Sequence, residues 1–195
     1  MAPKHSPSNE TIARAALAFI DENGIEAISF RKIAEATGIP TMTICNRFGS
    51  KDALLRAALK AMLDEFPIEA VEGECWQESL RRVSRTHRAM ACAHPKAFPL
   101  FVEVPPFEEP VLTHSLSVFS TNENQGLPEG MPFVFLSIMH SFLSGFQLVE
   151  SYAEAADKKG MSAEALRFIA LFDEDAFERD LDIIIAGLEA RYDLP

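Results

Sequence analysis

Between Ile28 and Leu55 the chain runs ISFRKIAEATGIPTMTICNRFGSKDALL. At helical spacing, Thr41, Met42, Thr43, Asn46 and Arg47 fall on outward faces of one short segment. Hydroxyl and amide groups can bond base edges, a thioether can meet a thymine methyl, and a guanidinium can bind guanine or phosphate. For Met42 packing is an equal reading. Ser29 and Arg31 open the preceding segment and can hold phosphate. Lys51 adds positive charge beside the exposed N–H groups that begin the next helix. Side chains of these types in this order point to recognition of double-stranded nucleic acid.

Other chemistry lacks its residues. The sequence has no Ser/His/acid elbow, no phosphate-cradling glycine loop and no HExxH pair. Its many acids are expected on helix surfaces or in first turns, so no enzyme is expected. Cys45, Cys75 and Cys92 are odd in number, widely spaced and without a CxxC pair. Three reduced thiols are expected, with neither disulfide, metal nor cofactor.

The elements that must position these side chains read as helices almost throughout. Ile12, Ala16, Phe19 and Ile20 share one face of a helix that Gly24 ends. Ser29 can cap a short helix carrying Ile33 and Ala34, which Gly38 breaks. A third helix starts near Pro40 and carries Ile44 and Phe48 up to Gly49. Ser50 can cap a fourth, with Leu55, Leu59, Met62 and Phe66 on one face before Pro67. Two short helices joined at a glycine are the minimum for a helix-turn-helix. Ala34 is small where the pair must approach, and Ile33, Ile39 and Ile44 can lock it together.

Across roughly residues 8–66 the chain resembles the TetR family of bacterial repressors. The matching residues are Gly24, Ser29, Arg31, Ile33, Ala34 and Gly38, then Phe48, Ser50, Lys51, Asp52, Leu54 and Leu55. The resemblance implies an all-α fold: an N-terminal three-helix helix-turn-helix domain, residues 1–66, and a larger C-terminal helical ligand-binding and dimerisation domain, residues 67–195. It also implies a homodimeric repressor, released from a near-palindromic double-stranded operator by a small-molecule effector, expected to be apolar or aromatic. The family usually has Tyr, a phosphate ligand, where this chain has Cys45. A thiol is a poor donor. Arg47 stands where His is common, and its guanidinium can recover phosphate affinity.

The domain seam is expected between about Pro67 and Glu74, where Pro, Gly and acids cluster. Beyond it Trp76, Leu80, Val83, His87 and Met90 make one helical face. Five prolines in residues 94–110 allow only short helices and turns. Residues 111–119 read as helix, and Ser120 to Pro132 as a mobile polar loop. Phe133 to Tyr152 is a helix with two apolar stripes, one holding Leu136, His140, Leu143 and Gln147, the other Phe135, Met139, Phe142, Phe146 and Val149. Both must be buried. One can meet the helix's own domain and the other a second subunit. Asp173, Glu174 and Asp175 suit the start of a last helix bearing Phe177, Leu181, Ile184 and Leu188.

Expected dimer-interface residues are Phe135, Met139, Gly145, Val149, Leu181, Ile184 and Leu188, with Gly145 and Gly187 permitting close crossing. The alternative is a monomer with a thick core. Eleven of the fifteen Phe residues follow Pro67. Phe101, Phe107, Phe119, Phe142 and Phe146, with His87 and His140, are the expected effector contacts; ordinary core is the competing reading for each. Arg81, Arg85 and Arg88 form a basic stripe, read as ion pairing with nearby acids, or more sharply as an anion site.

Apolar residues make up 48% of the 195, enough for a packed core. The net charge of −11 argues against nucleic acid until it is divided. Residues 1–60 carry eight Lys/Arg and six acids, net +2, and the remainder ten and 23, net −13. Such asymmetry suggests two tasks in one chain. The first eight residues read as a loose tail with no targeting leader, and no purely apolar run approaches the ~20 residues a bilayer needs. A cytoplasmic protein without membrane contact is expected. The reading left beside the regulator is a ligand-binding or interaction module whose DNA reader has degenerated.

Overall fold

The computed structural model describes residues 7–122 and 125–194; the first six residues of the expected tail and residues 123–124 of the expected loop lie outside them. Among the described residues the fold is all-helical. Helix α1 spans Asn9–Asn23, α2 Phe30–Thr37, α3 Thr41–Phe48, α4 Lys51–Glu65 and α5 Trp76–Ala93. Then follow α6 (Pro99–Glu103), α7 (Val111–Ser120), α8 (Met131–Ala155), α9 (Ala163–Ile169) and α10 (Glu174–Tyr192). A single 3-10 turn, Ile25–Ala27, links α1 to α2.

Local chemistry sets the helix ends. Ser8, Ser29, Ser50, Ser162 and Asp173 each accept a backbone N–H in the first turn of the helix they precede. Such a cap stabilises a helix by about 1 kcal/mol. Gly38 sits at φ 70°, ψ 11°, and its N–H closes onto the Ala34 carbonyl. That left-handed geometry, cheap only for glycine, turns the chain from α2 into α3.

The chain forms two compact units that do not follow its linear order. One joins the described residues up to 68 with residues 89–116, and the other joins 69–88 with 117–194. In the first, Ile12, Ile20, Ile33, Ile44, Leu59 and Met62 share one core with Met90, Phe98 and Phe101. Polar ties reinforce it. His94 Nδ1 lies 2.8 Å from Asp21 Oδ2, with Nε2 3.2 Å from Glu65, and Arg56 donates to Glu108 and to the Glu109 carbonyl, each at 2.8 Å.

In the second unit Trp76 and Leu80 of α5 meet Phe135, Met139 and Leu143 of α8 and Phe177 and Leu181 of α10. Three residues one turn apart on α5 reach α10 in reverse order: Gln77 to Glu189, Arg81 to Asp182 and Arg85 to Glu178. The two helices therefore run antiparallel. Most of the basic stripe is spent on these pairs, each worth little at an exposed site. Arg88 goes inward instead, donating to the buried Glu150 at 2.6 Å and lying over the Phe177 ring. By length and mean hydropathy (1.5), α8 is apolar enough to cross a membrane; Phe135, Met139, Leu143 and Phe146 of this helix are instead buried in the second unit's core.

Candidate nucleic-acid interface and effector core

The reader is built on one anchor. Ile44 is the one buried residue of α3 and is fully enclosed with Ile33 and Ile39. Fixing that side chain fixes which residues point away. Met42 is 68% exposed and Asn46 is exposed, while Thr41, Thr43 and Arg47 are half-exposed, on a helix only eight residues long.

The other expected contacts surround this helix. The Ser29 oxygen accepts the Lys32 N–H at 3.3 Å, leaving its hydrogen to donate outward. Arg31 is exposed and lies 3.6 Å from Glu35, a loose pair that a phosphate can replace. Lys51 is exposed at the first turn of α4 and makes no ion pair among the described residues. Cys45 is half-buried and free of any disulfide. Sequence reasoning missed one feature: Arg47 donates to the Pro7 carbonyl, pinning the start of the chain to the end of α3. Forty residues separate the two, and no local pattern announces the contact.

In the second unit the expected effector residues divide. Phe142 and Phe146 meet at 5.6 Å, and both contact Phe177. His87 and His140 are close enough to interact electrostatically. Burial pushes the His87 imidazole down to about 4, with His140 adding to the shift, and burial also lowers His140. Both rings are therefore neutral at physiological pH, and His87 donates from Nδ1 to the Val83 carbonyl at 2.9 Å. Phe119 meets Phe133 at 4.7 Å. Phe101 belongs to the first unit, where it contacts Phe98 and His114, and Phe107 is 72% exposed there.

Two further residues of α8, Ser144 and Gln147, are buried, with the Ser144 Oγ and the Gln147 Nε2 lacking partners among the described residues. The signal for Gln147 was its place on an apolar stripe. A cavity of about 900 Å³ also opens in this unit, lined by residues 70–77 with Ser120, Thr121 and Gln125. None of the expected effector residues lines it.

The expected dimer residues need correcting by face. Phe135, Met139, Leu181 and Leu188 are buried in the unit's own core, so they have no surface left for a second chain. Gly145 is exposed, with no atom within 4 Å of where a Cβ would stand, while Val149 and Ile184 are half-buried. The outer stripe of α8 holds Ile138, Ser141, Gly145, Leu148 and Tyr152, and α10 presents Ile183 at 63% exposure beside Ala186 and Gly187. Neither apolar stripe read from the sequence is this outer one: Leu143 and Gln147 of the first and Phe135, Met139 and Phe146 of the second all turn inward, and the outer face, interrupted by Ser141 and Gly145, left no apolar stripe to read.

Comparison with known proteins gives two profile matches. Residues 12–58 match the N-terminal profile described as bacterial regulatory proteins, tetR family, and residues 69–172 match the profile described as tetracyclin repressor-like, C-terminal domain. The chain is 27% identical to the tetracycline repressor protein class A from transposon 1721 of Escherichia coli, across 93% of this chain and 90% of that protein. Two solved structures have a similar fold. One is a TetR variant of Acinetobacter baumannii AYE in complex with minocycline (TM-score 0.77, 22% identity, 96% of this chain and 99% of that chain). The other is ActR of Streptomyces coelicolor in complex with actinorhodin (TM-score 0.75, 22% identity, 98% of each chain).

Proposed function

Because the chain belongs to the TetR family of bacterial regulatory proteins, we propose that it is a homodimeric repressor that leaves its operator when a small planar effector enters the C-terminal domain. The family consists of transcriptional regulators, and the chain is a DNA-binding regulator rather than an enzyme. It works in the cytoplasm, where its operator lies. The division of labour is residues 1–66 for DNA and 67–195 for effector and partner.

The observation that carries the reading is the outward face of α3, held by the buried Ile44 and turned out by Gly38. Thr41, Thr43 and Asn46 reach base edges in the major groove, with Met42 toward a thymine methyl. Ser29, Arg31, Arg47 and Lys51 hold phosphates, and a larger share falls to them because Cys45 is a poor donor. Two copies join through the outer stripes of α8 and α10, where Gly145, Ala186 and Gly187 allow close crossing. A two-fold dimer then places two α3 helices on successive turns of a near-palindrome.

The effector is proposed to sit against the polar row of His87, His140, Ser144 and Gln147, walled by Phe142 and Phe146. Neutral imidazoles and unpaired amide and hydroxyl groups favour an uncharged aromatic with polar substituents. The similarity to proteins solved with minocycline and actinorhodin supports that class. Such a ligand releases DNA only by its differential affinity for the two states. The test is a DNA titration of the purified chain, using the fragment beside its own gene, with and without a planar aromatic shown by calorimetry to bind. DNA affinity is expected to fall at saturation, and unchanged affinity would refute induction.

A further inference from the structure

We propose that the segment ahead of α1 is a second DNA-contacting element, an arm whose Lys4 meets a phosphate beside the groove that α3 enters, with Arg47 as the residue that anchors it. The inference rests on the reading of α3 as a DNA reader.

Placement is the first observation. Arg47, in the last turn of α3, donates from its guanidinium to the Pro7 carbonyl. The chain therefore enters the fold at the recognition helix, although forty residues separate the two in sequence. Helix α1 does not run back over this segment. The Ser8 oxygen accepts the Thr11 N–H at 3.1 Å, and that cap starts the helix at Asn9. Lys4 stands three residues before Pro7, and three residues span at most about 11 Å. The major groove is about 12 Å wide, so the phosphates that bound it lie within that reach of α3.

Charge is the second observation. Residues 1–9 hold Lys4 and His5 and no acid. Acids close to the chain's entry are already paired: Glu10 with Arg14 at 2.9 Å, and Asp64 with Lys60 at 2.7 Å. These four line a groove of about 390 Å³ that Asn9 and Phe48 also border. Its two ion pairs balance, so the groove offers Lys4 no uncompensated carboxylate. A duplex offers one negative charge per about 1.7 Å of its axis. A phosphate contact adds affinity and register, and leaves sequence to the base-edge contacts of Thr41, Thr43 and Asn46.

The anchor gives the arm its dependence on α3. Arg47 holds Pro7 before DNA arrives, so less freedom is lost when Lys4 binds. The contribution of Lys4 must then fall when Arg47 is removed.

The full chain is titrated by anisotropy against a labelled duplex from beside its own gene, from about 50 to 200 mM salt. Lys4→Gln is expected to lower the slope of log K against log salt by roughly 0.9 per subunit. Across a dimer, the variant's deficit becomes about tenfold smaller at 200 mM than at 50 mM salt. The deficit should be the same on an unrelated duplex. In an Arg47→Ala background, Lys4→Gln should change affinity by less than about twofold, because the anchor is already gone. Lys4 lies ahead of α1, so thermal melts of Lys4→Gln should match those of the wild type. A wild-type salt slope in Lys4→Gln, a deficit confined to one DNA sequence, or an equal loss with and without Arg47 would each overturn the arm while leaving α3 as the reader. A wild-type chain that binds no DNA at low salt would overturn both readings.

Discussion

Truncating Ile44 to alanine probes how the reader is held. The side chain is 0% exposed and is the one buried residue of α3. Ile→Ala removes three carbons, at ~0.8 kcal/mol per buried methylene, giving about 2.4 kcal/mol from transfer alone. The cavity left behind raises the expected loss to about 3 kcal/mol, within the usual range for such truncations. Ile44→Val removes one carbon and should cost about 1 kcal/mol. The recognition helix is short, with Phe48 only half-buried beside the anchor, so the lost packing should also loosen its orientation. Urea unfolding gives the stability change, and fluorescence anisotropy with a labelled DNA fragment gives the affinity. Ile44→Ala should lose both, Ile44→Val little of either. A cost below about 1 kcal/mol for alanine, with DNA affinity intact, would refute the claim that this one side chain seats the reader.

Three further outcomes follow from the geometry. Gly38→Ala meets no atom within 4 Å, so its penalty is conformational only, about 1 kcal/mol for a left-handed non-glycine residue, and Gly38→Asn should cost less; thermal melts of the two variants separate these values. His87 titrates near 4 when folded and at the ordinary 6.5 when unfolded, so the unfolded chain binds more protons between those values. Stability should therefore be full above about pH 6.5 and fall as pH drops toward 4, by on the order of 3 kcal/mol for a fully buried ring. His87→Phe should remove that component from a pH series of urea midpoints, and an unchanged slope would contradict it. Ile183→Arg places a charge on the outer stripe of α10 without touching the core, so sedimentation should find monomers and DNA affinity should drop. A wild-type dimer would move the interface elsewhere.

Much of the reader was legible because its determinants are local. Ser29 and Ser50 were read as caps and Gly38 as the turn, and each is a matter of a few neighbouring residues. The same holds for Asp173 before α10. What stayed hidden depends on residues distant in sequence. Nothing near Met90 or Phe98 says that they join a core with Ile12 and Ile33. The Arg47 contact with Pro7 and the bridge of His94 between Asp21 and Glu65 span tens of residues. On α8 both apolar stripes that the periodicity showed turn inward, and the outer one, interrupted by Ser141 and Gly145, was not among them. Helix α9, seven residues with no buried side chain, left no amphipathic pattern to read.

The central question for this protein is whether α3 and its neighbours bind duplex DNA through phosphates. Anisotropy titrations of the fragment beside the gene, repeated from about 50 to 200 mM salt, measure this, as each phosphate contact lowers log K against log salt by roughly 0.9. Six to eight contacts across a dimer would give a slope of about −5 to −7, and Lys51→Ala should reduce it by one contact per subunit. No binding at low salt, or binding insensitive to salt, would contradict the assignment of this face as a DNA reader.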